Sequence, residues 1–156
     1  MPAVSGVYNL IRSSVTTSTA ITIQQVTAPA GTMAEFTRCW VNQSTITTSA
    51  ATRIQFLRKS TAATVTSQTP ALLGVAMQAS KCVGGTGASG ITATNEQTDS
   101  TVYVEEGFNI VGNGWLYLPV PEERIYIINT TAGLKFPTAP TSAGWISGEE
   151  WLEYAS

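Results

Sequence analysis

Gly112-Asn113-Gly114-Trp115-Leu116-Tyr117-Leu118-Pro119-Val120-Pro121-Glu122-Glu123-Arg124-Ile125-Tyr126-Ile127-Ile128-Asn129 is the stretch on which the fold turns. Asn113-Gly114 is a turn signal, because both residues tolerate positive φ. Beyond it Leu116, Leu118 and Val120 point one way, and Trp115, Tyr117 and Pro119 the other. Pro121-Glu122-Glu123 is a polar reversal, after which Ile125 and Ile127 alternate with Arg124, Tyr126 and Ile128. Alternation on both sides of a short turn reads as two paired β-strands. Pro119 has no N–H to donate, so the first strand is expected to end at a sheet edge or corner. The rest of the chain is then expected to be further strands packed on this hairpin.

Downstream, Thr131 to Pro140 reads as a turn-rich return carrying Leu134 and Phe136. Ser142 to Ser156 holds Trp145, Ile146, Trp151, Leu152 and Tyr154, an apolar ending that must dock on the body of the protein. Upstream, Thr101 to Glu105 reads as a strand with Val102 and Val104 inward. Gly84 to Ser100 is a long Gly/Thr/Ser/Asn loop, expected to be mobile or to contact a partner. Pro70 to Ser80 allows a short helix, while Leu73, Val75 and Met77 alternate as a strand would, and the β character of the surrounding chain favours the strand. In Thr61 to Thr69, Val65 is the one aliphatic anchor.

Nearer the start, Thr52, Ile54 and Phe56 face in while Arg53, Gln55 and Lys59 face out. From Met33 to Asn42, alternation sets Phe36, Arg38 and Trp40 in line on one face. An edge-strand arginine is the simple reading there, with a cation–π contact or an intersubunit pair as alternatives. Ala28-Pro29-Ala30-Gly31 is a turn signal, and Ala20 to Val26 a strand with Ile21 and Ile23 inward and Thr22 and Gln24 outward. Ser13 to Thr19 is a hydroxyl-rich turn or arm, and Val7 to Arg12 a short strand. The whole is expected to be one all-β domain, a β-sandwich or jelly roll of about 8–10 antiparallel strands with little or no helix. Residues 1–19 form its first strand or an N-terminal arm.

Composition narrows the function. Charged residues make up 12% of the 156-residue chain, about half the usual share. Hydroxyls fill the gap, with 24 threonines and 14 serines. Hydroxyls cost less than charges to desolvate, so this surface suits packing against other proteins. The net charge is −2, and Arg58-Lys59 is the one basic pair, so no nucleic-acid partner is expected. Met1 to Gly6 carries no positive n-region, so no signal peptide is expected, and no apolar window reaches membrane-spanning length. Asn42-Gln43-Ser44 and Asn129-Thr130-Thr131 are therefore read as chance matches to the glycosylation acceptor pattern. Cys39 and Cys82 sit beside apolar residues and read as buried free thiols, with a single disulfide as the alternative.

Reactive chemistry is scarce. Without a histidine the chain lacks Ser-His-Asp and Cys-His catalysis and most zinc sites. Gly85-Thr86-Gly87-Ala88-Ser89-Gly90 matches G-x-G-x-x-G, but no βαβ unit surrounds it, so it reads as a glycine loop. Glu105-Glu106, Glu122-Glu123 and Glu149-Glu150 are adjacent in sequence. Neighbours on a strand point to opposite faces, so these glutamates read as turn and edge charges, not as catalytic pairs. No catalytic residue, cofactor, metal or small-molecule substrate is expected, and the chain is not expected to be an enzyme. The tryptophans Trp40, Trp115, Trp145 and Trp151 are core or interface anchors, or else a sugar-stacking platform.

Three stretches carry a resemblance: Glu35-Phe36-Thr37-Arg38-Cys39-Trp40-Val41-Asn42-Gln43-Ser44 running on to Arg53-Ile54-Gln55-Phe56-Leu57-Arg58-Lys59; Glu105-Glu106-Gly107-Phe108-Asn109; and Gly114 to Ile125, followed later by Leu134-Lys135-Phe136-Pro137. Together they resemble small virion proteins of tailed bacteriophages, among them capsid decoration (cement) proteins. That resemblance implies a β-sandwich or jelly-roll subunit, usually a homotrimer, made in the host cytoplasm and seated on the major capsid protein at the virion surface. Arg38, Trp40, Trp115, Tyr117, Trp145, Trp151 and Tyr154 are the candidate partner or subunit interface. A tail- or fibre-associated β-module and a carbohydrate-binding module are the alternatives.

Overall fold

The computed structural model of the protein describes residues 4–45, 50–74, 78–109 and 114–155. Ten strands follow one another: β1 (Val4–Thr17), β2 (Ile21–Gln43), β3 (Ala51–Lys59), β4 (Thr64–Ser67), β5 (Ala71–Leu73), β6 (Gly90–Asn95), β7 (Asp99–Asn109), β8 (Trp115–Tyr117), β9 (Tyr126–Phe136) and β10 (Ala143–Ala155). Among the described residues the one helical element is a single 3-10 turn at Pro121–Glu123. The protein is all-β, with strand order β5-β1-β10-β2-β9-β3-β7, while β6 and β8 add onto β2 and β4 onto β6. All named pairings are antiparallel.

Two long strands make a two-layer sandwich of this single sheet. The later half of β2 pairs with β10 on one side and with β8 and the start of β9 on the other. Its earlier half pairs with β6 and with the end of β9, which in turn pairs with β3. The first layer is thus β5, β1, β10, late β2, β8 and early β9. The second is β6, early β2, late β9, β3 and β7. Strands that are not neighbours meet across the interior. Trp145 of β10 lies 4.9 Å from Phe136 of β9 and 6.2 Å from Phe108 of β7, centroid to centroid. Phe36 of β2 meets Phe56 of β3 edge to face at 5.0 Å. Tyr8, Leu10, Ile54, Leu134 and Trp151 belong to the same core. Each large apolar side chain so buried stabilises by about 1.5–3 kcal/mol.

Several expectations fail for one reason: extended chain continues where turn residues seemed to stop it. Ser13 to Thr17 is not an arm; it prolongs β1 along β10. Ala28 to Gly31 does not reverse the chain. The register slips between Ala28 and Met33, with Gly31 at φ 76°, and β2 bends from one layer into the other. Thr131 to Phe136 is not a return loop but the buried end of β9. Gly84 to Ser100 is not one long loop; it contains β6 and the start of β7. Buried Gln25 holds that region, donating to the Ala63 and Ala88 carbonyls at 2.9 and 2.7 Å and accepting from the Ala63 N–H. Trp115–Tyr117 and Tyr126–Phe136 do not pair with each other; they lie in tandem along one edge of β2. The turn expected at Asn113, and Val75 and Met77 of the Pro70–Ser80 stretch, fall outside the described residues. Ala71–Leu73 of that stretch is strand.

Bulges change which side chains face in. Thr37 is an extra residue in β2 opposite Glu150 and Trp151, so Phe36 enters the core while Arg38 and Trp40 stand on the outer face. A second slip, between Thr22 and Gln24, turns Gln24 inward, where its amide donates to Leu10 O at 2.7 Å and accepts from Ser147 Oγ at 2.7 Å. Thr22, also expected outward, is buried under Glu96, which accepts its hydroxyl at 2.9 Å. Lys59 does point away from Phe56, yet it is buried, because Glu96 and Asp99 close over it at 3.1 and 2.7 Å. Val102 of β7, expected inward, is exposed, because the bulge at Tyr103 sets it opposite Leu57 while Val104 takes the place opposite Phe56.

Candidate functional site

The outer face of the first layer collects side chains that have no second layer to cover them. Cross-strand register arranges them in four rows: Val4, Tyr154, Met33 and Ile128; Val7, Leu152, Glu35 and Tyr126; Asn9, Glu150 and Arg38; Ile11, Gly148, Trp40 and Leu116. Val4, Ile11, Leu116, Tyr126 and Ile128 are exposed, and Leu118 and Val120 extend the apolar margin past the end of β8. A Cβ on Gly148 would overlap the Trp40 ring, so glycine lets that ring lie on the sheet.

The charges on this face are already matched. Arg38 lies 4.6 Å from the centroid of the Trp40 ring and 3.7 Å from Glu150. The contact is therefore cation–π, on an inner strand of the sheet rather than an edge. Glu35 accepts from Arg124 Nη1 at 3.1 Å and from the Tyr154 hydroxyl at 2.8 Å. Burial, and then the Glu35 carboxylate, push the Tyr154 phenol up.

Of the seven residues that the sequence marks as an interface, the structure brings together Arg38, Trp40 and Tyr154 on this face. Trp115, Trp145 and Trp151 are buried in the core and present no surface. The expectation for them is corrected: β10 and β8 turn their odd-numbered residues inward. Tyr117 is half-buried; its ring packs on Phe56 at 5.7 Å, and its hydroxyl donates to Glu123 O and accepts from Ile125 N–H. Those two bonds anchor the turn between β8 and β9.

The interior also holds titratable groups. Glu149, read as an edge charge, is fully buried, with no hydrogen-bond partner on either oxygen among the described residues. Burial pushes its carboxyl up to about 8. Gln24 lies near enough to temper the rise, but its amide nitrogen is committed to Leu10 O. Cys39, opposite Glu149 in register, and Cys82 are free and buried. Burial and then the neighbouring glutamates push both thiols up, so neither is a ready nucleophile. Among the described residues no cluster of three His, Cys, Asp or Glu side chains could hold a metal.

Sequence reading missed a second feature. Arg58, Tyr103, Arg124, Ile125 and Tyr126 line a cleft of about 410 Å³. These residues come from three separate strands and a turn, and no local pattern joins them. No protein-family model, curated protein or solved structure matches this chain.

Proposed function

We propose that the protein is a non-enzymatic structural component of a tailed-phage virion, seated as a homotrimer on the major capsid protein. Its docking surface is the outer face of the first layer. One observation carries this reading: Ile11, Leu116, Tyr126 and Ile128 stand exposed around Trp40 on a sheet face whose charges are paired with one another. Such a face loses little solvation of unmatched charge on docking, and each half-exposed apolar side chain covered contributes a part of the about 1.5–3 kcal/mol of full burial. Repetition over a symmetric shell multiplies a modest contact into firm retention. The phage resemblance, carried by Glu35 to Ser44, Arg53 to Lys59 and Gly114 to Ile125, supports the same reading, since the first and last of these stretches hold most of late β2 and all of β8. Sugar stacking on Trp115 or Trp151 lacks a platform, because both rings are in the core.

Light scattering after gel filtration tests self-association, with a mass near three times 16.5 kDa expected. Co-sedimentation with phage heads lacking the protein tests docking. The double variant Leu116→Lys, Ile128→Lys should keep the wild-type melting temperature and lose head binding. Full binding by that variant would sink the assignment of this face.

A further inference from the structure

The cleft lined by Arg58, Tyr103, Arg124, Ile125 and Tyr126 gathers two guanidinium groups and two phenols. Arg58 follows buried Phe56 on the inner face of β3, at the mouth where β7 approaches early β9. Tyr103 is the extra residue of a bulge in β7, opposite Phe56 and Leu57, and its ring packs 5.9 Å from Phe56. The Tyr103 phenol is pushed up by burial, while the Arg58 charge pulls it down and Tyr126 adds to the rise, so the three groups sense one another. Arg124 enters from the turn before β9, held by Glu35.

These groups are donors with too few acceptors. Arg58 uses Nε on Thr130 Oγ1 at 3.2 Å, and no carboxylate pairs with it among the described residues. The Arg124 Nε is buried and without a partner among the described residues. Neither the Tyr103 nor the Tyr126 hydroxyl has a hydrogen-bond partner among the described residues. Glu35 balances one of the two arginines and is itself spent on Arg124 and Tyr154, which leaves the cleft about one positive charge in excess on a chain of net charge −2. Of these donors the Arg124 Nε is buried, and a buried donor without an acceptor is costly and marks a missing partner, while the exposed Arg58 and Tyr126 stand open to a ligand at the mouth. Beside them stand the exposed Tyr126 ring and Ile125, an apolar wall that a bare inorganic ion would leave uncovered.

We propose that this cleft binds an acidic sugar, its carboxylate between Arg58 and Arg124 and its ring against Tyr126. A cleft of this volume takes one or two sugar rings. Guanidinium donors match a carboxylate, and an aromatic face matches the C–H face of a pyranose. The inference goes beyond the virion assignment and does not depend on it.

Nuclear magnetic resonance titration of the intact chain with D-glucuronate tests it, with D-glucose and sodium phosphate as parallel arms. Saturable shifts are expected at the amides around Arg58, Tyr103 and Arg124 to Tyr126, with glucose and phosphate both at least about tenfold weaker. Arg58→Gln removes one charged contact at an exposed position and should weaken glucuronate by about tenfold or more. Tyr126→Ala should weaken glucuronate and leave phosphate unchanged. Absence of saturable shifts with glucuronate overturns the proposal, as does undiminished binding by Arg58→Gln. Equal affinity for phosphate overturns the sugar and leaves a bare oxyanion site.

Discussion

Glu149 ties the stability of the fold to pH. Its carboxyl is buried and raised to about 8, against an ordinary value of 4.5. Between those values the unfolded chain has released its proton and the folded chain still holds it. Stability contributed by the protonated group is therefore complete below about pH 4.5 and is lost as pH rises toward 8, at up to about 1.4 kcal/mol per unit. No histidine is present to mask the effect. Glu96 and Asp99 act in the opposite sense. Burial tends to raise them, but for Glu96 the hydrogen bonds from Thr22 and the Lys59 charge outweigh it, and for Asp99 those from Lys135 and Lys59 do, so both are lowered. Their contribution is present above about pH 4 and lost as pH falls below it. The urea midpoint should therefore peak near pH 4.5–5 and decline toward pH 8. Glu149→Gln should remove the alkaline decline and leave the acid limb. A wild-type midpoint flat from pH 5 to 8 would show that Glu149 ionises freely in the folded chain.

At the scale of elements, β1 is structural throughout. It pairs with β10 from Val4 to Thr17 and with β5 on its other side. It also places Tyr8 and Leu10 in the core. Arg12 is buried with it, donating to Trp145 O at 2.8 Å, Thr92 Oγ1 at 2.9 Å and Thr17 Oγ1 at 3.1 Å. Burial lowers that guanidinium to about 10. Deleting residues 1–19 should abolish cooperative unfolding rather than merely release a tether, as circular dichroism melting would show. A truncated chain that melts sharply would return the segment to the status of an arm. Element identity was legible wherever alternation ran unbroken, as at Thr52, Ile54 and Phe56. It was illegible where polar residues continue a strand, because Ser13, Ser14 and Thr16 satisfy a half-exposed β-strand as well as a loop.

Across the whole molecule, the first and last strands pair: Tyr8 lies opposite Trp151 in the β1–β10 ladder. Nearly every pairing joins distant parts of the chain, so loop-closure entropy precedes the contacts that offset it. Refolding followed by tryptophan fluorescence should take about milliseconds to seconds, in the range of all-β sandwiches. Microsecond refolding would contradict this topology. By itself, the sequence determined that the protein is all-β, that its charge is sparse, and that its C-terminal aromatics are anchored, since alternation and composition act locally. Tertiary structure alone decided which face each residue took after Thr37 and Thr22, why Glu149 and Lys59 are buried, and how Arg58, Tyr103 and Tyr126 meet. A bulge of one residue reverses every side chain beyond it, and only the register with a distant partner strand sets where that bulge falls.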